Sequence, residues 1–203
     1  MKRGFDAGKM RAAPALSVSP RLESRKQKAR EAFPEKQLHE SLRKTGTDRK
    51  VRRRRVGTDI TWVTDRIGVG GGIWNGENMA AVSRAGITHI IDMQIEFDDT
   101  PLAKEHDITV CWNPVDDDFE PKPAEVFSRG VEFGMAALEG EGTKLLVHCA
   151  AGVHRAPMMT LALLGVMGWS MEDAMQLIEG KRPAADFAEV YVESVERFLK
   201  GRG

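Results

Sequence analysis

Cysteine is scarce in this chain: Cys111 and Cys149 are the only two in 203 residues. Two thiols give no disulfide framework, so a fold stapled by bridges is excluded. Cys and His show no zinc-site spacing either, and no metal or other cofactor is expected. Long apolar runs are lacking as well. The longest, Ala156 to Met167, falls far short of the roughly 20 residues that cross a bilayer and reads as a core helix. The N-terminus has no apolar stretch to serve as a secretory core. A soluble, cytoplasmic protein is the expectation, in a compartment that keeps thiols reduced. Residues 1–56 hold few large apolar side chains, cannot offset the entropy of ordering by burial, and are expected to stay disordered. No internal repeat is present.

Charge is plentiful and unevenly placed. The formal net charge is zero, yet residues 1–56 carry 18 Lys and Arg against 6 Asp and Glu. The remainder is therefore acidic to the same degree. The densest basic run, Arg49-Lys50-Val51-Arg52-Arg53-Arg54-Arg55, suits contact with nucleic acid, an acidic membrane surface or the acidic half of the chain. A solvated tail is the plainer reading. A globular composition begins near residue 57, giving a basic tail at 1–56 and a single domain at 57–203.

The chemistry concentrates in Lys144-Leu145-Leu146-Val147-His148-Cys149-Ala150-Ala151-Gly152-Val153-His154-Arg155-Ala156-Pro157. It reads as a buried strand ending on a cysteine, a tight loop with one glycine, and an arginine opening an apolar helix. Such a loop aims backbone N–H groups and the positive end of a helix dipole at one point, which suits phosphate. The same field favours the thiolate of Cys149, the nucleophilic form of cysteine. Arg155 can fold back and grip two phosphoryl oxygens with its planar fork.

His148-Cys149-x5-Arg155, with Gly152 third in the loop, resembles the signature of protein tyrosine phosphatases, and the short chain looks like their dual-specificity branch. The resemblance implies a phosphate-binding loop of His148, Ala150, Ala151, Gly152, Val153 and His154 around the nucleophile Cys149 and the clamp Arg155. It also implies an aspartate, after a Pro-Val-x pattern some thirty residues upstream, that protonates the leaving group. In Asn113-Pro114-Val115-Asp116-Asp117-Asp118, Asp117 fits that place, with Asp116 and Asp118 left open. One position departs from the pattern: the family usually carries Ser or Thr after the arginine, where this chain has Ala156. Hydrolysis of the phosphoenzyme is the step this puts in question.

Elsewhere, strands are expected at 60–63, 66–69, 87–93 and 108–112, and helices at 78–85, 101–105, 125–138, 171–179 and 187–199. Lys181-Arg182-Pro183 reads as a charged helix exit, Cys111 as a core strand residue and His89 as a core or sheet-edge histidine. Gly68-x-Gly70 lacks the βαβ context of a dinucleotide loop. The element order predicts a three-layer α/β domain, with a mostly parallel sheet of four or five strands between helices. The expected function is a cysteine-dependent phosphatase acting on phosphotyrosine and phosphoserine or phosphothreonine of proteins. The alternatives are a phosphate-binding pseudophosphatase with impaired turnover and an RNA 5′-phosphatase, the basic tail contacting a polyanion.

Overall fold

In the computed structural model residues 58–202 are described; the basic segment 1–56 and its expected disorder lie outside them. Five strands form one sheet in the order β1-β2-β5-β3-β4: β1 Ile60–Trp62, β2 Ile67–Gly70, β3 His89–Asp92, β4 Thr109–Trp112 and β5 Leu145–His148. Only the edge strand β1 runs antiparallel, against β2; the remaining neighbours are parallel. The helices are α1 Gly76–Arg84, α2 Thr100–Ala103, α3 Ala124–Glu139, α4 Arg155–Val166, α5 Met171–Lys181 and α6 Glu189–Lys200. The expected three-layer α/β architecture is what forms.

Two apolar clusters explain the layering. Side chains alternate across a strand, and the central strands are apolar on both faces. Ile67, Val69, Ile91, Leu145 and Val147 point into a large core shared with α3, α4, α5 and α6. Ile90 and Leu146 point the other way, into a smaller core with Met79 and Val82 of α1 and Ala103 of α2. The axis of the larger layer is α4, whose residues Arg155 to Leu164 are all buried. It packs closely against α3 because Gly130 and Gly134 leave room where a Cβ would strike Met159 and Leu163.

Local signals fix the helix ends. The Asn75 side chain caps α1 by accepting from Asn78 N at 2.9 Å, and Ser170 caps α5 by accepting from Asp173 N at 3.0 Å. The register then sets the site. Gly70 of β2 and Asp92 of β3 both pair with His148, the last residue of β5, and Asp92 pairs with Trp112 of β4. Four parallel strands thus end level, and the loops that follow them converge on one edge, where open α/β sheets bind ligands.

Candidate active site

The loop from Cys149 to His154 leaves β5 at that edge and enters α4. Its carbonyls are anchored on the outside. Ala150 O accepts from Gly72 N and Val153 O from Asp186 N, at 3.0 and 2.9 Å. Arg182 Nε donates to Gly152 O at 2.7 Å, and its Nη2 to Ala151 O at 3.2 Å. Because a trans peptide points its C=O and the following N–H in opposite directions, these four anchors turn the N–H groups of Ala151, Gly152, Val153 and His154 inward. One inward group is already engaged: Gly152 N donates to Cys149 Sγ at 3.2 Å. Gly152 has a φ of 65°, and a Cβ there would collide with Gly70 O and with Arg182, so the turn demands glycine.

Arg182 corrects the sequence reading of a charged helix exit. Its side chain is 6% exposed, which is far from solvated. Besides the two loop carbonyls it donates to both Asp59 carboxylate oxygens, at 2.9 and 2.5 Å, and to Thr61 Oγ1 at 3.1 Å. It therefore joins the start of the described chain to the back of the loop. A buried guanidinium is tolerated because its donors are matched.

Arg155 opens α4 with its side chain buried beneath the loop. Its Nη1 and Nη2 meet Glu96 Oε2 and Oε1 end-on, at 2.9 and 2.8 Å, and Nη1 also donates to Val115 O at 3.1 Å. The Nε–H has no partner among the described residues. That edge of the fork, Nε and the second Nη2 hydrogen, remains for two anionic oxygens. Glu96 is a residue the sequence reading missed. The ion pair holds its carboxyl below the usual carboxylate range.

The aspartate loop after β4 settles at the same place. Among Asp116, Asp117 and Asp118, Asp117 alone meets the signature loop. Its Oδ2 lies 3.1 Å from His154 Nδ1 and 3.7 Å from Arg155 Nε. Asp116 is an exposed turn residue accepting from Asp117 N at 2.8 Å, and Asp118 pairs with Lys122. Tyr191 of α6, also missed from sequence, holds this loop from behind. Its hydroxyl donates to Asp117 Oδ1 at 3.0 Å and accepts from Phe119 N at 2.9 Å. Burial, together with the neighbouring carboxylate, pushes the Tyr191 phenol up to about 12. Phe119 sits in the left-handed region with a φ of 57°, stacked on Tyr191 and edge-on to His154.

His148 lies apart from the anion site, beneath the sheet edge. Its Nε2 stands 2.8 Å from Asp99 Oδ2 and 3.6 Å from Asp92 Oδ1, all three side chains being fully buried. Burial raises the Asp92 carboxyl to about 6. These are the only three metal-ligating side chains that converge among the described residues. His148 is the last residue of β5, directly before Cys149, and its ring faces Asp92 and Asp99. Cys111 is half-buried on β4, its thiol pushed up by burial, and His89 is half-buried beside Phe133.

Comparison with known proteins decides the family. Residues 73–197 match the family model "Dual specificity phosphatase, catalytic domain", a segment that includes Asp117, Cys149 and Arg155. The chain belongs to the dual-specificity phosphatases. Human protein tyrosine phosphatase type IVA 3 is 34% identical over 106 residues, which are 51% of this chain and 60% of that protein. The chain thus spans about 60% of the length of that relative and of its mouse counterpart. The crystal structure of DUSP15 is 27% identical, with a TM-score of 0.60 over 70% of this chain and 88% of its own. A crystal structure of PTPMT1 in complex with PI(5)P reaches a TM-score of 0.63 at 19% identity, covering 70% and 96%. At that identity it bears on the fold alone. The chain has a mixed, mostly parallel five-stranded sheet flanked by helices. No helix among the described residues is long and apolar enough to cross a membrane.

Proposed function

We propose that this chain is a cysteine-dependent phosphatase that hydrolyses phosphomonoesters, the phosphotyrosine, phosphoserine and phosphothreonine of proteins, through a phosphocysteine intermediate. The observation that carries this reading is the ring of inward N–H groups around Cys149 Sγ, with Gly152 N at 3.2 Å and the unpartnered Nε of Arg155 beside it. In the first step Sγ attacks phosphorus, Arg155 and the ring hold the equatorial oxygens, and the P–O bond to the leaving group breaks as Asp117 gives that oxygen a proton. In the second, water attacks the phosphocysteine, Asp117 takes the water's proton, and the P–S bond breaks to restore the thiolate. A thiolate nucleophile fits a reducing, cytoplasmic setting. Steady hydrolysis of an aryl phosphate by the full chain, blocked by vanadate, is the test; no turnover under reducing conditions overturns the reading.

Ala156 shapes the second step. It is fully buried in the first turn of α4, and the only hydroxyl of that helix, Thr160 Oγ1 one turn on, donates to Ala156 O at 2.9 Å and so is committed to the backbone. A hydrogen bond to a charged group contributes roughly 1.5–3 kcal/mol, so a thiolate that keeps the Gly152 N–H but lacks the additional hydroxyl donor departs up to about one to two orders of magnitude more slowly. Rapid mixing with an aryl phosphate is expected to show a burst near one equivalent, then slow turnover, and Ala156→Ser is expected to raise the slow rate. A linear time course unaffected by the substitution would make the missing hydroxyl kinetically silent. A burst with no later turnover at all would turn the reading to a pseudophosphatase.

The basic tail is proposed to tune access and to leave the chemistry alone. A chain starting at Gly57 keeps every residue placed at the site, so its kcat/KM for a small aryl phosphate is expected to stay within about twofold. Effects on polyanionic substrates are expected to fade with salt, because charges screen over about 8 Å at physiological ionic strength. A truncated chain that loses small-substrate activity contradicts this.

A further inference from the structure

His154 is unusual in how it is held. Its Nδ1 stands 3.1 Å from Asp117 Oδ2, and its Nε2 stands 3.3 Å from Asp186 Oδ2. A neutral imidazole has one N–H and one lone pair. Between two carboxylates, one of its nitrogens would then face an oxygen lone pair to lone pair. The arrangement is satisfied when it holds one more proton, either as imidazolium or as a carboxylic acid donating to the ring. Between Nδ1 and Asp117 Oδ2 these are two positions of the same proton. The ring is fixed in this orientation by Phe119, edge-on at 5.0 Å, and by its place at the N-terminus of α4.

We infer that His154 and Asp117 form one proton-carrying pair, in which His154 stores the proton that Asp117 delivers to the leaving group. This rests on the phosphatase reading above. An isolated carboxyl group loses its proton near pH 3.9 and imidazole near 6.5, so a lone aspartate is almost wholly ionised at neutral pH when the reaction needs an acid. In the pair, the proton on Nδ1 passes to Oδ2 as the leaving oxygen takes one from Asp117. The products are a protonated alcohol or phenol, a carboxylate, and a neutral ring that keeps Nε2–H toward Asp186. When water attacks the phosphocysteine, its proton returns through Asp117 to Nδ1 while the P–S bond breaks and the electron pair goes to sulfur. Oδ2 is also the oxygen nearer the clamp, 3.7 Å from Arg155 Nε. His154 acts through Asp117 and is a positioning residue in this scheme.

The charged and titratable groups around the pair are Asp186 from the segment between α5 and α6, Arg155 from α4 with Glu96 behind it, the Cys149 sulfur of the same loop, and the Tyr191 phenol of α6, which reaches Asp117 Oδ1. Asp186 is 67% exposed, so its removal perturbs the pair without touching the core.

The test measures kcat/KM of the full chain between about pH 4.5 and 8 on an alkyl phosphate and on p-nitrophenyl phosphate, whose leaving group departs unaided. In His154→Gln the amide can still donate to Asp117 but cannot carry a proton. Its alkyl-phosphate rate is expected to fall about tenfold or more at pH 7, and the high-pH limb to move down by about one pH unit or more, as a lone carboxyl requires. The nitrophenyl ester is expected to lose less than the alkyl ester, by a factor of about five or more, since its leaving group needs no proton. Asp186→Asn is expected to move the limb in the same direction by a smaller step, which decides the matter if His154→Gln folds poorly. Equal losses on both substrates with unmoved limbs would overturn the inference. Turnover that survives Cys149→Ser would instead overturn the phosphatase reading beneath it.

Discussion

Cys149→Ser is expected to bring aryl-phosphate hydrolysis down to background while phosphate or vanadate still binds. The two results separate because different atoms produce them. Binding is expected to come from the inward N–H groups of Ala151 to His154, set by carbonyl anchors on Gly72, Arg182 and Asp186, and none of these anchors depends on sulfur. Attack depends on a thiolate, and a serine hydroxyl at neutral pH offers no comparable nucleophile without a base beside it. Arg155→Lys is expected to lose about 10²–10³-fold in kcat, the scale seen when one preorganised charge-stabilising donor is removed. The reason is geometric. Arg155 spends the outer ends of its fork on Glu96 and one further donor on Val115 O, and still offers Nε and Nη2 as a flat edge. An ammonium group is a point charge that cannot face Glu96 and two phosphoryl oxygens at once. A lysine variant within a few fold of wild type, or a serine variant that turns over, would remove these two residues from the mechanism.

Sequence and structure agree where the determining interactions are local. The run from Leu145 to Pro157 carries its own strand, loop and helix signals, and all three appear where the pattern puts them. The order of strands and helices predicted a sheet between two helical layers, and Ile90, Ile91, Leu145, Leu146 and Val147 divide between the two cores. The placement of Asp117 was open to one residue in either direction, because sequence alone says nothing about which of three consecutive side chains turns inward. What hid from the sequence arises from contacts between distant segments. Glu96 meets Arg155 across 59 positions, Tyr191 meets Asp117 across 74, and Arg182 meets Gly152 across 30. No periodicity encodes such a pair. Arg182 misled because a charged residue at a helix end is usually solvated, and only the loop carbonyls of the folded chain reveal what its donors meet.

Removal of the proposed acid is expected to depend on the leaving group more than on anything else. Asp117→Asn conserves size, and its amide oxygen can still accept from the Tyr191 hydroxyl, which sits 3.0 Å from Oδ1, so the loop keeps its support. What is lost is a transferable proton. For an alkyl phosphate the departing alkoxide is a strong base, and general-acid assistance contributes about 10²–10⁴-fold; kcat/KM on phosphoserine or another alkyl ester is expected to fall by that order. For p-nitrophenyl phosphate the leaving anion is already stable, and a drop of no more than about tenfold is expected. Plotted against the leaving group's basicity, the variant's rates should therefore slope steeply downward where the wild type's are nearly flat. Asp116→Asn and Asp118→Asn supply the contrast, since Asp116 is bonded to the backbone of its own turn and Asp118 is committed to Lys122. Both are expected to keep the flat wild-type slope. If Asp116→Asn or Asp118→Asn steepens the slope and Asp117→Asn does not, the proton comes from a different residue of the loop, and the contacts of Asp117 with His154 and Tyr191 serve to hold the loop closed.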